Sequence, residues 1–394
     1  MKGQKTVVEF GTSKIACATA LQRQKFGLEI LGHVQVPYAG IKNANWADAM
    51  GVQDVLERAV GELEKQTRSR IRTVDIGLPG CFTNITSSTT HLDISGKVTS
   101  RDIGELIAKA DNISLLDDQM VVDTFPSWFI LDDGEIYLDA TGQRARSVMA
   151  CISFVLANKY FVNDVRQLLR NAGVRVEGLI CEPLAQAMTL IPEEKRDSIA
   201  ILADIGYYNT NISLVYGDSI LHHVTVDMGG GHITNDIAYI MKVDVQTAEQ
   251  IKRRYSFGLQ ESNKILHLYA KDSGGRLNKY PYDLLQNVID ARVEHILRYI
   301  SDFTVKAEKR MNRKLSVFIT GGGLGYMPGA SNFIRVCLGR APSPLRLENS
   351  VLSSPGSQGI YALLEYAYSR GDAAAYMEVE KGGFFGRLAG RLFE

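Results

Sequence analysis

A repeated three-strand pattern limits the possible folds of this chain more than any other feature. The apolar run 7–10 ends at Gly11, Thr12 and Ser13; a second run covers 15–21, and a third, alternating stretch covers 27–37. Short polar turns separate the runs, so the spacing predicts three strands joined by hairpins. The pattern returns at 198–204, 211–216 and 220–227, with a turn at Gly217 and Asp218. In both copies an acidic residue stands two places before the first glycine: Glu9 before Gly11, and Asp204 before Gly206. Two such units describe two related half-molecules. A chain of 394 residues has room for two or three domains at about 150 residues each.

Helical spacing fills the gaps. Val52, Leu56, Ala59, Val60 and Leu63 mark one face within 47–68. Stretches 158–171 and 281–314 are the other clear helices, with Pro281 suited to a first turn. Strands at 72–78 and 315–320 each run into glycine. Alternating strands and helices argue for an α/β architecture. Residues 84–160 differ: strand-like runs at 84–94, 120–131 and 147–156 surround one helix at 100–111. This stretch is expected to be an α+β subdomain inserted into the first half.

Composition excludes several classes. Forty-four basic residues balance 44 acidic ones. That neutrality argues against a nucleic-acid partner, which needs clustered excess Lys and Arg. Positions 1–10 carry no apolar signal core, and the longest apolar run, 147–158, is too short to span a membrane. It is expected as a buried strand. The five cysteines are scattered without a CxxC pair, a reduced, cytosolic pattern with no zinc knuckle. His222 and His223 are neighbours in an expected strand and so face opposite ways, a poor start for a metal site.

Four glycine turns carry the chemistry. Gly11, Thr12, Ser13 and Lys14 form a hairpin turn whose amides, hydroxyls and ammonium can cradle phosphate. Asp204 opens a second turn through Gly206, Tyr207, Tyr208, Asn209 and Thr210, and could hold water around a magnesium ion. Gly229, Gly230 and Gly231 open a helix, where amides suit an anion. Gly321, Gly322 and Gly323 end a strand and can admit a flat base against backbone.

In this order, on a duplicated fold, the turns resemble the actin/Hsp70/sugar-kinase ATPase superfamily. Within it the sequence is similar to the FtsA family of bacterial cell-division proteins over essentially its whole length. The carrying segments are Glu-Phe-Gly-Thr-Ser-Lys-Ile at 9–15, Cys-Glu-Pro-Leu-Ala-Gln-Ala at 181–187, Gly-Gly-Gly-His-Ile-Thr-Asn-Asp-Ile-Ala at 229–238, Ala-Glu-Gln-Ile-Lys at 248–252 and Ile-Thr-Gly-Gly-Gly at 319–323.

The resemblance implies an actin-like, two-lobed fold. Its subdomains would be 1–83 with 162–195, the insert 84–161, then 196–232 with 313–360, and 233–312. A return helix and short linker would follow at 361–381. ATP with magnesium would be the cofactor. Gly11, Thr12, Ser13 and Lys14 would line one phosphate loop, and Asp204, Gly206, Tyr207 and Thr210 the other. Gly230 and Gly231 would approach the phosphates or ribose. Glu249 and Lys252 would meet the nucleoside, although by spacing alone they read as a solvated helix face. Gly321, Gly322, Gly323 and Met327 would bracket adenine. Glu182 and Gln186 would stand near the γ-phosphate as catalytic candidates, and Glu9 and Asp204 would hold the metal through water.

Three departures fall in this one pocket. Glu9 stands where the family has Asp. Tyr207 and Tyr208 replace glycines in the second loop, and Asn211 replaces a carboxylate. Tyrosine does not freely adopt positive φ. Its ring either fills the γ-phosphate space or turns away into packing. Hydrolysis is expected to be impaired.

The final segment, 382–394, places Phe384, Phe385, Leu388, Leu392 and Phe393 on one side of a helical wheel, with Arg387 and Arg391 opposite. That is the pattern of an interfacial membrane helix, and the alternative is a helix docked on the body. The family ends in such a membrane-targeting helix. The resemblance also implies self-assembly into filaments, the FtsZ C-terminal peptide as partner around 233–305, and residence on the cytoplasmic face of the membrane at the division site. A pilus-assembly adaptor of the PilM type and an ATP-dependent kinase of the same fold are the competing expectations.

Overall fold

The structure is a computed structural model that describes residues 3–23, 27–110, 113–258 and 267–379. The segment 382–394, with its membrane residues Phe384, Phe385, Arg387, Leu388, Arg391, Leu392 and Phe393, lies outside the described residues. No described helix is long and apolar enough to cross a membrane.

The duplication is visible in the two central sheets. The first runs in the order Arg175–Cys181, Thr73–Leu78, Lys5–Phe10, Lys14–Arg23, Gly27–Pro37. The second runs Ser316–Thr320, Ala200–Ile205, Thr210–Tyr216, Ser219–Val226. In each, one strand pairs antiparallel with its hairpin partner and parallel with the strand that follows a helix. Lys5–Phe10 and Ala200–Ile205 are buried almost throughout, which explains why they read as continuous apolar runs. The strands end at Gly11, Gly206 and Gly321, so the glycine turns converge at the carboxyl ends of both sheets, where open α/β folds place ligands.

Helix Gly51–Thr67 buries the five residues that its spacing marked, Val52, Leu56, Ala59, Val60 and Leu63. It stops where Arg68 turns into the left-handed region at φ 51°. The insert is a four-stranded antiparallel sheet covered by helix Ser100–Ala110, with Arg144–Asn158 at its centre. One face of that strand (Val148, Ala150, Ile152, Phe154, Leu156) packs inside the insert, while Val155 packs under the second lobe. Burial on both faces accounts for the long apolar run.

Several elements were not expected from the sequence. Strand Arg175–Cys181, the hairpin His267–Lys271 with Leu277–Pro281, and helix Ala330–Leu338 are not among the expected elements, although Ala330, Phe333, Ile334, Cys337 and Leu338 do fall on one helical face. Pro281 closes a strand and caps the long helix Tyr282–Met311 from outside; it does not sit in the first turn. The last helix, Gln358–Val379, is continuous through positions expected as linker. It lies on the first sheet, where Leu363 fills the space that a side chain at Gly77 would need. Tyr368 Oη anchors it, donating to Ala20 O at 2.6 Å and receiving the Lys5 amide at 3.1 Å.

Candidate functional site

A cleft of about 770 Å³ lies between the lobes, a volume typical of small-molecule sites. Gly11, Thr12, Ser13 and Lys14 line it from the first lobe, Asp204, Gly206 and Tyr207 from the second, and Glu249, Lys252 and Gly321 to Gly323 from above. Gly321 needs its glycine: its φ is +99°, and a Cβ there would lie 2.3 Å from Asp204 Oδ1.

At the inner end stand three carboxyl groups. Glu9 and Glu182 are buried and share a hydrogen bond, and Gln186 donates to Asp204 Oδ2 at 3.0 Å. Burial raises the pKa of all three, and the charge of Glu9 raises that of Glu182 further. Glu9 Oε2 is buried without a hydrogen-bond partner among the described residues. Burial and mutual repulsion favour a proton shared by Glu9 and Glu182 in the cleft as it stands. Among the described residues no three His, Cys, Asp or Glu side chains are arranged to hold a metal ion. Glu9 Oε2 and the Asp204 carboxyl are the groups that would meet a magnesium ion's water shell there.

The second loop resolves the question that the tyrosines raised. Neither Tyr207 nor Tyr208 has a positive φ, so the loop takes another shape and the expected backbone conflict does not arise. The Tyr208 N–H donates to Thr12 Oγ1 at 3.0 Å, joining the two phosphate-type loops directly. The Gly230 and Gly231 amides donate to Gly206 O at 2.9 Å and Tyr207 O at 2.6 Å. The anion donors at the start of helix Gly230–Met241 are therefore satisfied by the chain itself.

The rings go neither into the acid pocket nor away from the cleft. Tyr207 covers Gly231, where a Cβ would come within 2.6 Å of its Cε1. The Lys252 ammonium lies 5.2 Å from the Tyr207 ring centre, and Tyr208 meets that ring edge-on at 4.7 Å. The Lys42 ammonium lies 4.6 Å from the Tyr208 ring, adding a contact from the first lobe. Burial pushes the Tyr207 phenol up to about 12.

The cations are engaged too. Lys14 donates to Gly356 O. Lys252 is buried and bonds Gly230 O at 3.1 Å, Thr234 Oγ1 at 3.0 Å and Glu249 Oε2 at 2.5 Å. Burial alone would raise Glu249; the charges of Lys252 and Arg253 outweigh it and hold the carboxyl low. A solvated helix face is thus excluded for Lys252.

Most expected residues meet in this cleft, with four exceptions. Gly231 lies behind Tyr207, and Gly230 lies against the Gly323 backbone. Thr210 is buried and turned away, donating to Met228 O at 2.7 Å. Met327 is 4% exposed in the second lobe's core; its neighbour Tyr326 faces the cleft instead. There the Arg253 guanidinium lies 5.3 Å from the Tyr326 ring, beside Gly322 and Gly323. Lys42, Tyr326 and Arg253 carry no motif of their own. The only sequence signal for Arg253 is its place beside Lys252.

The duplicated sheets, the insert and the interlobe cleft define an actin-like protein. The solved structure of a PilM–PilN type IV pilus biogenesis complex matches it with a TM-score of 0.63 at 17% identity, covering 92% of this chain and 98% of the other. That likeness concerns the fold. Residues 201–362 match the family model for cell division protein FtsA. FtsA of Pseudomonas aeruginosa is 25% identical over 331 residues, 82% of this chain and 78% of the relative. FtsA of Streptococcus pneumoniae is 22% identical over 374 residues, 92% of this chain and 79% of the relative. By these matches the chain is similar to the FtsA family of cell division proteins.

Proposed function

We propose that this chain is a cell-division adaptor that assembles with itself, sits on the cytoplasmic membrane through 382–394 and holds FtsZ filaments there. The observation that carries the reading is the extent of the match: both lobes and the insert align with relatives named as cell division proteins. Filament contacts would multiply weak lipid binding through effective concentration.

The cleft would take the nucleoside end of an adenine nucleotide against Gly322, Gly323, Tyr326 and Arg253. Bound there, the nucleotide would supply a bridge between the lobes. The chain's own residues argue against hydrolysis. Glu182 is occupied with Glu9, Gln186 with Asp204, and the Gly206, Tyr208, Gly230 and Gly231 amides with acceptors of the chain itself. The subdomain bounds given above are part of the same proposal.

The test is binding of the FtsZ C-terminal peptide by fluorescence anisotropy, with co-sedimentation on anionic vesicles alongside. The reading expects saturable peptide binding that substitutions within 233–305 weaken, and release from vesicles on deleting 382–394. Peptide binding absent for FtsZ and present for a pilus-assembly peptide would favour the PilM-type alternative. Phosphoryl transfer to a small acceptor would favour the kinase.

A further inference from the structure

The first lobe carries a second charged feature, at the end of its sheet opposite the cleft. A groove of about 590 Å³ is lined by Arg72, Arg166, Arg170 and Arg175, with Gly173, Val174 and Val176 between them. The local folding places them together. Arg175 opens strand Arg175–Cys181 and pairs in register with Thr73, the residue after Arg72. Arg166 and Arg170 stand one turn apart near the end of helix Lys159–Asn171.

All four arginines are exposed, and among the described residues no acidic side chain lines the groove. Among the described residues none of them forms an ion pair; Arg170 reaches only Gln167 Oε1, at 3.5 Å. Arg70 adds a fifth guanidinium nearby, partly engaged by Glu64 at 3.7 Å. The chain has equal numbers of acidic and basic residues, so this cluster is not the by-product of a basic protein. Four unpaired guanidinium groups repel one another, and an anion relieves that repulsion. Their planar forks match phosphate oxygens.

The position selects the occupant. The three parallel strands of the sheet begin at Lys5, Thr73 and Arg175, so their amino ends share one edge of the lobe. The last helix reaches that same edge, where Tyr368 Oη meets Lys5 N and Gly3 O at 3.1 Å each. From Tyr368 to Val379 it continues for 11 residues (379 minus 368), about 16 Å at 1.5 Å per residue. The chain therefore runs toward 382–394 from the arginine end of the lobe.

We infer that this arginine groove is a second membrane contact, which takes the phosphates of an anionic lipid surface and sets the first lobe end-on to the bilayer. The inference rests on the proposed membrane role of 382–394. It supplies what a short tail lacks: a fixed orientation of the body, and selectivity for charged lipid.

The test compares four proteins by vesicle co-sedimentation: the unaltered chain, R72Q/R166Q/R170Q/R175Q, R166Q/R170Q, and the chain lacking 382–394. The helix-only variant R166Q/R170Q guards against misfolding of the fourfold one, with circular dichroism melting as the check. On vesicles containing phosphatidylglycerol, the fourfold variant should bind at least about tenfold more weakly, with a shallower salt dependence. On pure phosphatidylcholine it should match the unaltered chain. Equal binding of patch variant and unaltered chain to the charged vesicles, with release of the tail-deleted chain, would overturn the groove proposal and leave the membrane role standing. Failure of the unaltered chain to bind any vesicle would overturn both. Loss of polyglutamate binding with intact vesicle binding would make the groove a peptide site instead and overturn the lipid assignment.

Discussion

Replacing Tyr207 with alanine tests whether the chain closes its own nucleotide cleft. The ring covers Gly231, meets Tyr208 at 4.7 Å and lies 5.2 Å from the Lys252 ammonium. It is half-buried, so about 100 Å² of apolar surface leaves water, worth roughly 2.5 kcal/mol at 25 cal/mol per Å². The aromatic pair and the cation–π contact each add about 0.5–1 kcal/mol. The area figure is an upper bound, so a net of about 3 kcal/mol is reasonable. A nucleotide that needs this space must first displace the ring and lose that energy. Y207A should therefore bind ATP about 150-fold more tightly, at about 1.4 kcal/mol per factor of ten. The variant without ligand should unfold at lower urea, by a similar free energy. Y207F keeps the ring and should behave as the unaltered chain. Titration calorimetry on all three proteins, with and without magnesium, is the assay. Micromolar ATP binding by the unaltered chain, unchanged in Y207A, would refute the occlusion argument.

Other consequences are simpler to check. Glu9 is a buried carboxyl with its pKa raised by burial, so its ionisation costs stability as pH rises through the raised value. E9Q removes that cost; its melting temperature should exceed the unaltered chain's at pH 8 and converge with it near pH 4, and a lower value at pH 8 would contradict this. Glu308 is the opposite case: hydrogen bonds from Arg340 hold it down to about 2, with help from Lys314 and the Leu315 amide. Its contribution is complete above the unfolded value of about 4.3 and is lost as pH falls toward 2. Acid titration of E308Q should accordingly show a weaker stability loss across pH 4.5 to 2 than the unaltered chain, from a starting stability about 2 kcal/mol lower. G321A forces a Cβ to 2.3 Å from Asp204 Oδ1 at a positive φ, and should cost at least about 3 kcal/mol in urea unfolding.

Much of the fold was legible because the repeat is written in alternating apolar residues and glycine turns. Strands such as Lys5–Phe10 and Thr210–Tyr216 fall within two residues of their expected bounds. Arg175–Cys181 was not legible because it is an edge strand with mixed burial. The cleft could be placed from its glycines, but its state could not. Whether Tyr207 strains the loop depends on a φ that the neighbouring Asn209 carbonyl helps to set, by accepting the Gly206 amide. Met327 and Tyr326 are adjacent, and only the turn after Gly322–Gly325 decides which one faces the core. The arginine groove was invisible because Arg72 is remote in sequence from Arg166, Arg170 and Arg175, and only the pairing of Arg175 with Thr73 brings them together.

The adaptor role is tested most directly by reconstitution. Purified chain, FtsZ filaments and anionic vesicles are mixed and spun, and FtsZ in the lipid pellet is measured. The account predicts that FtsZ pellets with vesicles only when the full chain is present, and that deleting 382–394 leaves it in solution. FtsZ remaining in the supernatant while the intact chain pellets with lipid would contradict the adaptor role.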